Sequence, residues 1–498
     1  MTAAAQSLTG APSTIATWNS IIWKNPEAIV HRLQMRIAKA FREGKRNKVK
    51  VLQRLLTHSF SAKLLAVKRV TKNSGRKTAG VDGIIWKNSK DKMQAAQELK
   101  QRGYHPQPLR RVYIPKKGRA VKLRPLGIPA MKDRAMQVLY LLSLEPISES
   151  QADRNSYGFR MKRSCADAIE QCFKALAKKS SAQWILEGDI KSCFDKISHS
   201  WLKSNVLIDK RILHEWLKSG YIEKEIYYPT EEGTMQGGAI SPTIANQVLD
   251  GMEALVKNIT EQTDKINFVR YADDFVVTGS NKDVLENKIK PAVEVFLKER
   301  GLELSREKTK ITHIEDGFDF LGFNVRKYSG KLLIKPSKKN VLSFLKDIRK
   351  LIKENGTAKT EELIRKLNAR IRGWANYYRH AVSKNTFSYI DHCIFLAISR
   401  WARRRHPEKG VRWVRDKYFR KQRLRNWIFS AKTRNKEGFT VNLDLVSASD
   451  VKIKRHIKIR SEATPFDPVY KEYFDKRDKR CKINSRDAGI NERFLPIF

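Results

Sequence analysis

Two adjacent carboxylates, Asp273 and Asp274, interrupt a stretch otherwise suited to a sheet: Ile266-Asn267-Phe268-Val269-Arg270 leads into Tyr271-Ala272-Asp273-Asp274, and Phe275-Val276-Val277-Thr278 follows. Runs rich in Val, Ile and Phe favour strands, and Ala-Asp-Asp between them favours a tight turn that projects both acids from the sheet edge. Side-by-side carboxylates repel, and a hard divalent cation that chooses carboxylate oxygen relieves that repulsion. A third acid in a matching setting is Asp189, which ends the mostly apolar stretch Trp184-Ile185-Leu186-Glu187-Gly188. In-line phosphoryl transfer uses two metal ions about 4 Å apart, bridged by at least two acids. Asp189 and Asp273 are the expected bridging pair. Asp274 ranks behind them, because neighbours on an extended chain point to opposite faces.

The composition agrees with chemistry on a polyanion. In 498 residues, 100 Lys and Arg face 52 Asp and Glu, a formal charge of +48, which points to a nucleic-acid partner. That length predicts three or four domains, and 41% hydrophobic content supports real cores. No apolar run approaches the roughly 20 residues of a membrane span, and no basic segment leads into an apolar core at the N-terminus, so no membrane partner and no secretory signal are expected. Five cysteines without a Cys-x-x-Cys pair predict a reducing, cytoplasmic location and no structural zinc. Cys165, Cys172 and Cys193 read as core or loop thiols.

Elements that must position the acids are legible on both sides. Lys116 and Lys117, after the strand-like Val112-Tyr113-Ile114, and Arg124 on the return form a cationic hairpin suited to a triphosphate. Residues 1–65 read as helical, with Ile29, Leu33, Ile37 and Phe41 as one stripe. After Ser337, a good N-cap, three further stripes are predicted: Val341 to Ile352, Leu363 to Trp374, and Phe387 to Trp401. Residues 401–440 hold fourteen Lys or Arg against three Asp or Glu, interleaved with Trp401, Trp413, Tyr418, Phe419, Trp427 and Phe429. Basic residues release counterions from phosphates, and aromatic faces stack on unpaired bases.

Eight blocks in one order carry a resemblance: Gly80-Val81-Asp82-Gly83, Arg124 to Pro129, Ser156-Tyr157-Gly158-Phe159-Arg160, Gly188-Asp189-Ile190, Gln236 to Pro242, Tyr271 to Asp274, Gly301-Leu302 with Glu307-Lys308-Thr309, and Phe320-Leu321-Gly322-Phe323. Over roughly residues 18–474 the chain resembles group II intron-encoded reverse transcriptases. The resemblance implies an α+β multidomain, right-hand polymerase fold, with fingers and palm built on antiparallel sheet, a helical thumb bundle and a basic C-terminal DNA-binding segment. It implies an N-terminal helical extension over 1–65, fingers over 66–180, palm over 181–328, thumb or maturase region over 329–400, DNA-binding region over 401–460, and a tail, a possible endonuclease remnant, over 461–498.

The same resemblance assigns roles. Asp189, Asp273 and Asp274 are catalytic, and Asp189, Ile190 and Asp273 hold metal, as two Mg²⁺ ions. Lys116, Lys117, Arg124, Ile190, Phe194, Gln236, Tyr271 and Lys308 surround the deoxynucleoside triphosphate, with Phe194 excluding a 2′-hydroxyl and Lys308 placed to protonate pyrophosphate. Phe320, Leu321 and Gly322 are the primer grip, and Arg365, Arg370 and Arg372 grip template and primer. Arg403, Arg404, Arg405, Trp413 and Lys417 contact DNA. The implied partners are group II intron RNA, target DNA, and an RNA template with a DNA primer. The implied activity is RNA-directed DNA polymerisation with assistance to splicing and intron mobility. The alternatives are a non-intron reverse transcriptase in defence or DNA repair, and a splicing-only RNA-binding maturase. Relatives with a zinc-bound nuclease pair cysteines and histidines after this point, whereas this sequence offers Cys481 and no later His, so no second-strand cleavage is expected.

Overall fold

The computed structural model describes residues 17–115, 123–422, 425–435 and 437–487, with side chains to residue 480. Three N-terminal helices, Lys24–Arg42, Arg46–His58 and Phe60–Lys72, pack with the long helix Met131–Gln151. The core there holds Val30, Ile37, Leu56, Val67, Leu139 and Ile147. Of the predicted stripe, Leu33, Ile37 and Phe41 pack on this core and Ile29 is exposed, while Val30, Gln34 and Ala38 are buried beside them. Gln34 can be buried because its side-chain amide donates to the Leu142 carbonyl at 2.8 Å, which meets the requirement that buried polar groups find partners.

The central strands are β1 (Leu109–Pro115), β2 (Leu123–Ile128), β3 (Trp184–Asp189), β4 (Tyr221–Glu223), β5 (Ile226–Tyr228), β6 (Asn267–Tyr271), β7 (Asp274–Gly279) and β8 (Lys310–His313). They form two four-stranded sheets, β2-β1-β4-β5 and β6-β7-β3-β8. The second is antiparallel throughout. The first departs from the all-antiparallel expectation, because β1 and β4 run parallel. Residues 221–228, expected with the palm, therefore complete the sheet of the fingers hairpin.

Alternation along the β6-β7-β3-β8 sheet divides the interior in two. Leu186, Phe268, Phe275 and Val277 face the core shared with the N-terminal helices. Ile185, Val269 and Val276 face a second core built with the downstream half of the chain. That half opens with β9 (Phe318–Phe320), β10 (Phe323–Tyr328) and β11 (Lys331–Pro336), a meander of order β11-β10-β9. Helices Lys338–Glu354, Thr360–Tyr378 and Lys384–Arg404 follow, the first capped by the Ser337 hydroxyl, with Leu345, Ile348, Ile364, Leu367, Ile390 and Ile394 buried. Their apolar stripes recur at helical spacing and bury one face each.

Helix Val411–Tyr418 leads into β12 (Phe419–Gln422), β13 (Arg425–Arg434) and β14 (Thr440–Asp444), a sheet of order β12-β13-β14. The chain then returns along helix Cys165–Leu176 as a strap that is mostly irregular to residue 470 and ends in helix Lys471–Asp487. The strap is anchored in the interior through Ile459, Ala463, Phe466 and Phe474. Among the described residues no helix is long and apolar enough to cross a membrane.

Candidate active site

β6 ends at Tyr271 and β7 starts at Asp274, so Ala272 and Asp273 form the turn between them. Ala272 has φ +57° and is buried, an uncommon left-handed conformation for a residue with a Cβ. Asp274 pairs with Tyr271 on one side and lies directly opposite Asp189 of β3 on the other. Like charges facing each other on one rung destabilise a ladder. The consequence appears in the protonation of the acids. Burial, then the charges of Asp273 and Asp189 and a hydrogen bond with Asp189, push the Asp274 carboxyl up to about 7. Burial also raises Asp273, with Asp189 adding to the rise and Arg124 and Lys308 opposing it. The Lys308 ammonium sits on the Asp189 carboxylate at 2.6 Å. The three predicted acids are thus neighbours, and a lysine more than a hundred residues along the chain neutralises one of them. Among the described residues, however, no three acidic, imidazole or thiol side chains are preassembled into a metal cage.

The hairpin is held by parts to which the sequence reading gave no role. Arg270 is fully buried beneath the turn, bound to Asp250 at 2.5 Å, to the Asn246 side chain at 3.1 Å and to the Ala272 carbonyl at 3.4 Å. Asp153 lies 3.9 Å from the same guanidinium. The legible signal was an arginine inside an otherwise apolar strand, which requires buried acidic partners. The Ser156-Tyr157-Gly158 block covers the free edge of β6: Tyr157 N donates to the Arg270 carbonyl and Arg270 N to the Asn155 carbonyl, each at 2.9 Å. A Cβ on Gly158 would lie 2.4 Å from Ala272 N, so only glycine lets this loop pass under the catalytic turn.

On the fingers side, Arg124 pairs with Ile114 across the hairpin and is close enough for its charge to act on Asp273. Lys116 and Lys117 lie outside the described residues. The Gln236 carbonyl accepts from Gly127 N at 2.7 Å, and Gly237, at φ +121°, packs so tightly that a Cβ would come 2.5 Å from the Gly127 carbonyl. That loop is thereby docked on β2. Phe194 is half-buried, two residues after Ser192 in the left-handed region at φ +47°. The Ile190 side chain is in the core, its backbone is bridged to Leu304, and the adjoining Asp189 carbonyl accepts from Ser305 N at 2.8 Å. Tyr271 is half-buried with its hydroxyl against the Cys165 thiol.

Leu321 and Gly322, with φ of +50° and +82°, form the turn between β9 and β10, and Phe320 is buried beside it. Arg370 and Arg372 are exposed on helix Thr360–Tyr378, whereas Arg365 is paired with Glu361 at 2.7 Å. Arg403 and Arg404 are exposed. Arg405 is half-buried: its guanidinium donates to the Ala358 carbonyl at 2.6 Å and lies over the Trp401 ring at 4.7 Å. It closes the loop between the first two helices of the bundle, because carbonyls left free at a helix connection need donors. Trp413 keeps 39% of its surface, with Lys417 over its ring at 4.6 Å and His406 edge-on at 4.7 Å.

Three families match the sequence in tandem. Residues 18–99 match the N-terminal domain of reverse transcriptase, 114–325 reverse transcriptase (RNA-dependent DNA polymerase), and 341–419 the group II intron maturase-specific domain. The group II intron-encoded protein LtrA of Lactococcus lactis subsp. cremoris is 30% identical over 424 residues, covering 66% of this chain and 70% of that protein. Protein YkfC of Escherichia coli is 34% identical over 330 residues, covering 56% of this chain and 84% of that one. Among solved structures, telomerase from Candida albicans with a fragment of telomeric RNA aligns at a TM-score of 0.36 and 14% identity, over 63% of this chain and 65% of that one. With acids, hairpin and maturase region in this order, the chain belongs to the group II intron-encoded reverse transcriptases, RNA-directed DNA polymerases with a maturase domain.

Proposed function

We propose that DNA synthesis on an RNA template runs at Asp189, Asp273 and Asp274, and that the same chain binds group II intron RNA, assists its splicing and copies it into DNA during intron mobility. The observation that carries this reading is the shared rung of Asp189 and Asp274 beside the Asp273 turn, where mutually repelling carboxyls lie within reach of Lys308 and Arg124. A purely structural sheet gains nothing from such a rung, because facing like charges weaken it.

The donors fit hard divalent cations. They are all oxygen, two of the carboxyls are raised by crowding that a cation would reverse, and the third already attracts an ammonium group. Asp189, Asp273 and the main chain at Ile190 would hold two Mg²⁺ ions, which when bound supply charge neutralisation at the attacking 3′-oxygen and the departing diphosphate. Arg124 would pair with triphosphate oxygens, for which a guanidinium fork is matched in geometry. The half-buried Phe194 ring would wall off the 2′ position, selecting deoxynucleotides by exclusion. Lys308 carries a proton at the site and would release it to the diphosphate as that group leaves. Arg370 and Arg372 would track the template–primer backbone, and Arg403, Arg404, Trp413 and Lys417 the target DNA.

Asp273→Ala decides the assignment. Extension of a DNA primer on RNA should fall below detection while intron RNA is bound with wild-type affinity, since a metal ligand is lost and the basic surface is intact. Unchanged nucleotide incorporation would refute it. A wild-type protein that promotes splicing but extends no primer would instead mark a splicing-only maturase.

A further inference from the structure

The Leu321–Gly322 turn is an unfavourable piece of backbone. Both residues are left-handed, and leucine resists that region because its Cβ crowds the neighbouring carbonyl. Such a turn persists only where its surroundings over-determine it. Two consecutive tyrosines at the C-terminal end of helix Thr360–Tyr378 supply the constraint. The Tyr377 hydroxyl donates to the Leu321 carbonyl at 2.8 Å, and the Tyr378 hydroxyl to the Gly322 carbonyl at 3.1 Å. Their rings flank Phe323, with centroids at 5.4 and 4.8 Å.

The two tyrosines differ. Tyr378 is 3% exposed and packed in the interior, and Gly322 also receives Ser337 N at 2.9 Å, so that half of the turn has two donors. Tyr377 is 39% exposed and makes the side-chain hydrogen bond to Leu321 from the open side. Its hydroxyl and that of Tyr271 in the β6–β7 hairpin both lie within electrostatic range of the Cys165 thiol, and Leu321 and Tyr271 pack against the same core. Tyr377 therefore joins the downstream helices, the Leu321–Gly322 turn and the hairpin that carries the acids.

We infer that Tyr377 is a positioning residue for DNA synthesis: its hydroxyl sets the height of the Leu321–Gly322 turn over the catalytic turn, and so the placement of the primer 3′ end. This rests on the polymerase reading above. A reacting oxygen must arrive aligned, and small displacements from remote contacts lower the rate without removing any reacting group.

The test compares Tyr377→Phe with Tyr378→Phe in the full chain, using a DNA primer annealed to RNA. At saturating primer–template, Tyr377→Phe should slow addition of the first nucleotide by about 3- to 10-fold, the range expected for one lost hydrogen bond. The KM for the nucleotide and the melting temperature should stay at wild-type values, because the ring and its packing remain. Tyr378→Phe should lower the melting temperature with a smaller effect on rate. A wild-type first-addition rate in Tyr377→Phe overturns the inference. So does a slowdown accompanied by a fall in melting temperature equal to that of Tyr378→Phe, which marks a packing role. If the wild-type chain extends no primer at all, the polymerase reading fails first.

Discussion

Two sets of carboxylates in this protein meet opposite treatment. At the catalytic turn, Asp189 and Asp274 share a rung and Asp273 adjoins them, and both turn acids are raised, Asp274 to about 7. At the base of the C-terminal strap, Asp167 is fully buried yet satisfied on every side. It accepts from Ser164, from Ile459 N at 2.7 Å, from His456 at 2.9 Å and from Arg477 at 2.9 Å. Burial alone would raise it, but the His456 hydrogen bond and charge, then Arg477 and Ser164, hold it at about 2. Surrounding protein desolvates both carboxyls, Asp167 completely and Asp274 only in part, and they differ further in whether cations accompany the acid. Where they do, the carboxylate staples the strap to helix Cys165–Leu176. Where they fall short, the site keeps an unmet demand for positive charge, which is what a metal-dependent enzyme uses.

The largest expected effect separates the two sets by activity. Asp189→Asn should reduce primer extension at least about 10³-fold, equivalent to roughly 4 kcal/mol of barrier, while the melting temperature of the metal-free protein moves by less than about 2 °C. Loss of folding in parallel with activity, read by calorimetry, would place Asp189 with the structural acids. Next comes Arg270, which belongs to neither set but supports the first. Arg270→Met would strand Asp250, itself pushed up to about 6 by burial even with Arg270 beside it, and Asp153. Removing one partner of a buried ion pair costs about 3–5 kcal/mol, so denaturant melting should show that loss together with loss of polymerisation. A variant that melts like wild type would show that the hairpin holds its shape without this network.

What could be read from residue order follows the strength of the local signal. The β6–β7 hairpin was legible because acids break an apolar strand, and the three downstream helices because Val341 to Ile352, Leu363 to Trp374 and Phe387 to Trp401 repeat at helical spacing. The first helix was legible as a helix and Leu33, Ile37 and Phe41 pack inward as its stripe predicts, but Ile29 is exposed and the buried Gln34 has a partner that sequence alone does not reveal. The parallel β1–β4 pairing joins Leu109 to Tyr221 through a three-residue strand, too short for any period to register. The strap carries no periodicity either: Ile457 is exposed and Ile459 buried, and beside its apolar anchors it is held by polar groups contributed by residues around 160. Arg405 shows what a run hides, since three consecutive arginines look uniform in sequence although one of them also donates to a backbone carbonyl.

Asp167→Asn should be smaller in effect and should read out in stability. A carboxyl depressed from 3.8 to about 2 contributes about 2 kcal/mol that is fully present above the unfolded pKa near 4 and lost as pH falls through 2. The variant should therefore melt lower at pH 7 and lose the extra acid sensitivity that wild type shows between about pH 4 and 2, with polymerisation per folded molecule retained. An acid limb identical to wild type would mean that the strap is held by its apolar anchors alone.

The smallest effect has the opposite sign. Asp274 has a folded pKa above its unfolded one, so its ionisation costs stability that is fully lost above about 7 and restored as pH falls toward 4. Although protein crowds the carboxyl, its residue keeps solvent-accessible surface opposite Asp189, and water screens the repulsion to about 1 kcal/mol. Asp274→Asn should then raise the melting temperature of the metal-free protein at pH 8 by a degree or two and leave it unchanged at pH 4. Added Mg²⁺ should stabilise the wild type more than the variant, because only the wild type has the repulsion for a cation to relieve. If Asp274→Asn destabilises at pH 8 as Asp167→Asn does, the two sets of acids are of one kind, and the contrast between them is lost.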